Sequence, residues 1–227
     1  MGLASKCTTS VAEVSALILA AGASRRMGRD KAWVPWRGRP LWQHVLAGLR
    51  AQSLSVGEVW VNVRPSTAAW ADVDCTACGL AGLLPEPPEY AGCGPLAGMR
   101  AGLIALARPW LLVLPCDVPR LPHDLLARLQ AADAPVAYAA TSGPDGERAH
   151  PTIALLHRSA LAGIEAQLAS ADHKLMRGLQ RSRHRSVVWH EPGILHNVND
   201  PSDLAALEAM DTPTPHALPP EPGAQGT

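Results

Sequence analysis

The chain has 227 residues, 47% hydrophobic and 18% charged, with 20 Lys and Arg balancing 20 Asp and Glu. That length suits one large domain with a sizeable core, and the zero net charge excludes the basic surplus that sequence-independent nucleic-acid binding needs. No apolar run approaches the roughly 18 residues that span a bilayer and no secretory signal opens the chain, so a cytoplasmic protein with neither nucleic-acid nor membrane partners is expected.

Residues 1–14 lack periodicity and read as a flexible leader. Ala16 to Ala20 is a short apolar run stopped by Gly22, a buried strand in type. Further strand-like runs follow at Glu58 to Val63, Leu80 to Leu84, Trp110 to Leu114, Pro135 to Ala140, Thr152 to Leu156 and Val187 to Trp189. Helical patterns lie between most of them. Pro40 to Arg50 sets Leu41, Val45, Leu46 and Leu49 on one face behind a first-turn proline. Pro95 to Ala107, Pro122 to Ala132 and Pro201 to Met210 repeat that arrangement, the last with Asp200 as N-cap. Alternation of this kind predicts a mostly parallel sheet covered by helices on both faces, with the site beyond the carboxyl ends of its strands. Residues 211–227 are Pro-rich and are expected to be disordered.

The five cysteines, Cys7, Cys75, Cys78, Cys93 and Cys116, are odd in number and scattered, which suits a reducing compartment. Cys75 and Cys78 form a C-x-x-C pair, but no second pair completes four zinc ligands, so packed or idle thiols are expected. Trp33, Trp36 and Trp42 are read as core or lid packing in preference to a stacking platform. The basic run Lys174, Arg177, Arg181, Arg183, His184 and Arg185 reads as a solvated face, with an anionic ligand or acidic partner protein as the alternative.

The chemistry concentrates after the first strand, in Leu19-Ala20-Ala21-Gly22-Ala23-Ser24-Arg25-Arg26-Met27-Gly28-Arg29-Asp30-Lys31. Small residues let backbone N–H groups approach an anion, and the Arg and Lys side chains compensate polyphosphate charge. The spacing matches neither the P-loop nor the dinucleotide fingerprint. Asp117 follows a strongly apolar strand and so stands at a carboxyl-end edge, where one carboxylate with phosphate oxygens and water suits magnesium; a helix cap or turn is the alternative role.

The segment L-A-A-G-x-S-x-R-M-G-x-x-K resembles nucleotidyltransferases that join a nucleoside triphosphate to a phosphorylated acceptor. Further blocks resemble one branch, the molybdenum cofactor guanylyltransferases: Arg29-Asp30-Lys31, Gly38 to Val45, Gly94-Pro95-Leu96-Ala97-Gly98-Met99, Pro115 to Pro119, His150 to Leu155, and Asn197-Val198-Asn199. The likeness runs from about residue 16 to about residue 207. It implies a Rossmann-like three-layer α/β/α fold, with one domain over 15–210 divided into a nucleotide half to about 120 and an acceptor half beyond. It implies transfer of GMP from GTP to the terminal phosphate of molybdopterin or Mo-molybdopterin, with Mg2+ as cofactor and pyrophosphate released. Leu19, Ala20, Ala21, Gly22, Asn62, Glu86 and Gly94 would hold the nucleotide, with Glu89 competing for the place of Glu86. Arg25, Lys31 and Asp117 would be catalytic, and Asp117 would carry the metal. Arg148, His150, Asn197 and Asn199 would receive the acceptor, although the asparagines also suit a turn or cap before Pro201 and His150 a structural role. Transient contact with molybdopterin-supplying proteins and apo-molybdoenzymes is expected.

The guanylyl branch usually reads L-A-G-G, whereas this chain has L-A-A-G, the form of cytidylyl relatives. CTP therefore stands as the second nucleotide, a sugar- or polyol-phosphate acceptor as the third reading, and a non-catalytic nucleotide or cofactor carrier as the reading from another class.

Overall fold

A computed structural model describes residues 13–22, 30–143, 146–170, 172–191 and 193–211, without the side chains of the last two. Arg25, Cys7, most of the expected leader and nearly all of the Pro-rich tail lie outside the described residues.

The sheet has seven strands in the order β5-β4-β1-β6-β8-β7-β9. These are β1 (Val14–Leu19), β4 (Glu58–Val63), β5 (Gly82–Pro85), β6 (Trp110–Pro115), β7 (Val136–Gly143), β8 (Gly146–His157) and β9 (His184–Trp189). β1 pairs in parallel with β4 and β6, β4 with β5, and β7 with β9; β8 alone runs against its neighbours. A separate two-stranded ribbon, β2 (Pro35–Trp36) and β3 (Arg39–Pro40), follows the glycine-containing loop.

Strand side chains alternate between faces, and β1 shows it directly. Val14, Ala16 and Ile18 enter one apolar cluster with Val45, Leu46 and Leu49 of α1 (Leu41–Arg50) and Leu125, Leu126 and Leu129 of α4 (Leu125–Ala131). Leu17 enters the opposite cluster with Leu96, Met99 and Leu103 of α3 (Pro95–Ala105), Ile164 and Leu168 of α5 (Leu161–Leu168), and Leu179 of α6 (Leu175–Gln180). The predicted three-layer α/β/α architecture with a mostly parallel sheet is therefore the observed one. The fourth predicted helix is α7 (Pro201–Asp211), whose Leu207 packs with Val34, Trp36, Leu41 and Val198 in a third, small cluster.

Several boundaries differ. α4 begins at Leu125 because residues 122–124 form a turn, in which Leu125 N donates to Pro122 O at 3.2 Å. The C-x-x-C pair lies on a four-residue helix, α2 (Cys75–Cys78), capped by the Asp74 carboxylate; both thiols are half-buried and lean on the first cluster. The tryptophans pack as expected: Trp33 and Trp42 meet Trp70, with ring centroids 5.0 and 5.5 Å away. Among the described residues, no helix is long and apolar enough to cross a membrane.

Candidate active site

Because β1, β4, β5 and β6 are parallel, their carboxyl ends share one edge of the sheet. The reversed β8 brings its beginning to that same edge, so residues from both halves of the sequence converge there. They line two clefts.

The first cleft, of about 300 Å³, holds Leu19, Ala20, Ala21 and Gly22 after β1, Asn62 on β4, Glu86 after β5, Gly94 and Pro95 at the start of α3, and Asp117 after β6, with Lys31 beside them. All the described residues expected to hold a nucleotide therefore meet in one place. Asn62 sits within β4 and not after it, paired in register with Leu19 and Leu84; its amide donates to Leu84 O at 3.1 Å. Glu86 is buried at the cleft while Glu89 is exposed in a turn, so of the two glutamates it is Glu86 that lines the cleft. Burial raises the Glu86 pKa, an effect that Arg64 partly opposes.

Arg64, which sequence reading passed over, reaches back to donate to Ala21 O at 2.7 Å and so pins the L-A-A-G loop to the end of β4. Asp30 also lines the cleft and caps the one-turn helix at Lys31–Trp33 by accepting from Ala32 N at 3.0 Å. Burial raises its pKa as well, against hydrogen bonds from Ala32 and Thr67 and the charge of Arg64.

Glycines explain the G-P-L-A-G block. Gly94 has φ 68° and ψ −150°, a conformation only glycine adopts without strain, and it turns the chain into α3 at the cleft. A Cβ on Gly98 would stand 2.6 Å from both Asn62 Oδ1 and a Leu19 methyl, so its absence lets α3 close on the strands. The H-P-T block is a bulge: Tyr138 pairs with Ala154 but Ala139 with His150, which leaves Pro151, Thr152 and Ile153 extra on β8. A proline without an N–H suits that break. It sends Thr152 to the first cleft and His150 to the second.

The second cleft, of about 230 Å³, gathers Arg148, His150, Asn197 and Asn199, the four expected acceptor residues. His150 Nε2 lies 2.9 Å from Thr141 Oγ1, and burial, then the Arg148 charge, lowers its pKa. Asn197 lines both clefts. Between them runs a chain of contacts: Asn197 Nδ2 donates to Asp117 Oδ1 at 3.2 Å, Lys31 Nζ stands 3.2 Å from Asp117 Oδ2, and Lys31 Nζ donates to Asn199 Oδ1 at 2.8 Å. None of the basic run from Lys174 to Arg185 lines either cleft, and Arg177, Arg181 and Arg183 engage Asp172, Gln167 and Asp133.

No group of three or more His, Cys, Asp or Glu side chains that could hold a metal occurs among the described residues. The donor set at Asp117 is one hard carboxylate open to a cleft, which fits an ion that takes its remaining ligands from phosphates and water.

A parallel sheet whose carboxyl edge sets a lysine and an aspartate over a small-residue loop and a cleft of this size has the architecture of a nucleotidyltransferase. Residues 16–187 match the family described as the MobA-like NTP transferase domain. The chain is 36% identical over 195 residues to the molybdenum cofactor guanylyltransferase of Serratia proteamaculans, covering 84% of this chain and 92% of that one. It is 36% identical over 203 residues to the enzyme of the same name from Cupriavidus taiwanensis, covering 87% and 97%. Among solved structures, the fold is similar to molybdopterin-guanine dinucleotide biosynthesis protein A of Archaeoglobus fulgidus (TM-score 0.65, 20% identity, 86% and 97% covered). It is also similar to 2-C-methyl-D-erythritol 4-phosphate cytidylyltransferase of Thermus thermophilus (TM-score 0.61, 20% identity, 87% and 98% covered). The chain belongs to the MobA-like NTP transferase family and is a nucleotidyltransferase.

Proposed function

We propose that this chain transfers GMP from GTP to the terminal phosphate of molybdopterin, bare or molybdenum-loaded, releasing pyrophosphate and forming the guanine dinucleotide cofactor. The observation that carries the reading is the junction of two clefts at Lys31, Asp117, Asn197 and Asn199. A triphosphate in the first cleft and an acceptor phosphate in the second would meet there.

An oxygen of the acceptor phosphate attacks the α-phosphorus of GTP as the bond to the pyrophosphate oxygen breaks. No protein nucleophile is needed, so catalysis is alignment and charge compensation. Lys31 neutralises charge on the transferring group and the leaving pyrophosphate, and Arg25 is assigned the same task. Asp117, with phosphate oxygens and water, is the residue assigned to hold magnesium, which when bound supplies positive charge to the triphosphate. Leu19, Ala20, Ala21, Gly22, Asn62 and Gly94 are assigned to the nucleoside and its phosphates. Arg148 and His150 are assigned to the acceptor, whose pterin presents donors and acceptors and whose phosphate is anionic.

Glu86 supports guanine: a carboxylate offers two acceptor oxygens, and guanine's Watson–Crick edge has two adjacent donors where cytosine has one. Ala21 favours the second reading, CTP, because its methyl group replaces a hydrogen at the cleft wall. Magnesium-dependent pyrophosphate release with molybdopterin, compared for GTP and CTP, tests both; selectivity for CTP would overturn the guanylyl reading. The division at about residue 120, a cytoplasmic location and transient contact with molybdopterin-supplying proteins and apo-molybdoenzymes belong to the same proposal.

A further inference from the structure

We propose that Asp203, in the first turn of α7, is a positioning residue for nucleotidyl transfer: it braces the turn bearing Asn197 and Asn199 and so holds Lys31 and Asp117 in register. The reaction invoked rests on the guanylyl-transfer reading; the brace itself rests on hydrogen bonds.

Asp203 Oδ2 accepts from the backbone N–H of Asn199 at 2.6 Å and of Asp200 at 3.1 Å, and Oδ1 stands 3.2 Å from His196 Nε2. One carboxylate thus grips both ends of segment 196–200. Three consecutive residues within that segment bond to the central pair. Asn197 donates to the Asp117 carboxylate, Val198 N–H donates to Asp117 O at 2.8 Å, and Asn199 accepts from Lys31.

Helix capping alone does not require this arrangement. Asp200 already accepts from Ser202 N and Asp203 N, and the return bond from Asp203 to Asp200 N completes a capping box. The bond to Asn199 and the contact with His196 lie before the helix and fix the turn instead. The Asp203 side chain is 22% exposed, so its charge-assisted bonds are partly shielded from water. The segment also shares its footing with Lys31, since Val198 and Leu207 pack with Val34 and Trp36, just after the Lys31 turn.

The test uses the full chain, with kinetics normalised to molecules that bind GTP in the presence of magnesium. Asp203→Ala is expected to lower kcat at least about tenfold while GTP affinity stays within about threefold, because a displacement near 1 Å at reacting groups costs up to about 100-fold. Asp203→Glu restores kcat to within about threefold of wild type, since Glu is the usual partner in a capping box. A wild-type kcat in Asp203→Ala, or loss of GTP binding and turnover in equal proportion, overturns the brace. If Asp203→Ala fails to fold, Asp203→Asn, which keeps one acceptor oxygen, must show the same split at smaller amplitude. Wild-type protein that releases no pyrophosphate with GTP or CTP sinks the reaction reading alone. The brace is then judged by amide hydrogen exchange in Asp203→Ala, where faster exchange confined to 196–200 supports it and unchanged exchange overturns it.

Discussion

Asn199 Oδ1 accepts a hydrogen bond from Lys31 Nζ at 2.8 Å, joining residues 168 positions apart. The same ammonium lies 3.2 Å from the Asp117 carboxylate, so its direction is fixed from two sides before any triphosphate arrives. Lys31→Ala and Asn199→Ala should therefore be non-additive. Lys31→Ala is expected to lower kcat by about 100-fold, Asn199→Ala by about tenfold, and the double variant by little more than Lys31→Ala, a coupling on the order of 1 kcal/mol. A double-mutant cycle on pyrophosphate release measures it; strict additivity would separate Asn199 from the lysine.

Asp117 stands where β6 delivers it, and its side chain meets both Lys31 and Asn197. Asp117→Ala removes the carboxylate assigned to the metal and the partner of both groups. It should cost about 3 kcal/mol of transition-state stabilisation, roughly 100-fold in rate. Raising the magnesium concentration should recover little of the loss. A near-normal rate in folded protein would remove Asp117 from the chemistry.

Two glycines of the G-P-L-A-G block should fail for different reasons. Gly94→Ala meets open space but forces φ 68°, ψ −150° on an L-residue, at a cost of about 1–3 kcal/mol in unfolding free energy. Gly98→Ala keeps helical backbone but drives a methyl onto Asn62 and Leu19, an overpacking cost of about 1–3 kcal/mol. Because Asn62 must move, Gly98→Ala should also weaken GTP binding. Denaturant melts with nucleotide titration separate the two cases.

Those glycines show what the sequence made legible. Apolar runs flanked by Gly and Pro marked the strands, and the blocks at loop positions marked the carboxyl edge, because tight turns and close approaches demand particular small residues. The bulge at Pro151 explains why His150 and Thr152, two residues apart, serve different clefts, but strand alternation alone would set them on one face. Arg64 carried no local pattern that reports its partner, because it acts by reaching a backbone group that the fold brings near. Asp203 stands at the capping-box distance from Asp200, but the bonds that tie its turn to Asp117 and Lys31 cross the fold. The choice between Glu86 and Glu89 likewise needed the turn at Pro88–Tyr90, which leaves Glu89 in solvent.

His150 gives the fold a pH dependence of definite sign. Burial and the Arg148 charge hold its folded pKa below the ordinary 6.5, so the unfolded chain binds the proton more readily. Its contribution to stability is complete above pH 6.5 and is lost as the pH falls toward the folded value. His150→Gln should flatten the decline of melting temperature between pH 7.5 and about 5.5 relative to wild type. Parallel curves would show that the imidazole is not the group responsible.

Burial of Glu86 at the cleft works against stability at neutral pH. Its carboxyl is buried at the cleft, and burial raises its pKa despite the nearby Arg64, so the folded state gives up the proton less readily than the unfolded chain does. Ionised Glu86 therefore costs stability above its folded pKa, and the cost recedes as the pH falls toward the ordinary 4.5. Glu86→Gln, nearly equal in volume and uncharged, should raise the melting temperature at pH 7. If Glu86 reads guanine's two donors, the same variant loses one acceptor and the charge, worth about 1.5–3 kcal/mol or roughly 10- to 100-fold in GTP affinity. CTP binding should change much less, and the ratio of the two affinities is the decisive reading. Equal losses for both nucleotides would assign Glu86 to a part of the nucleotide common to both, and the preference for guanine would then rest elsewhere.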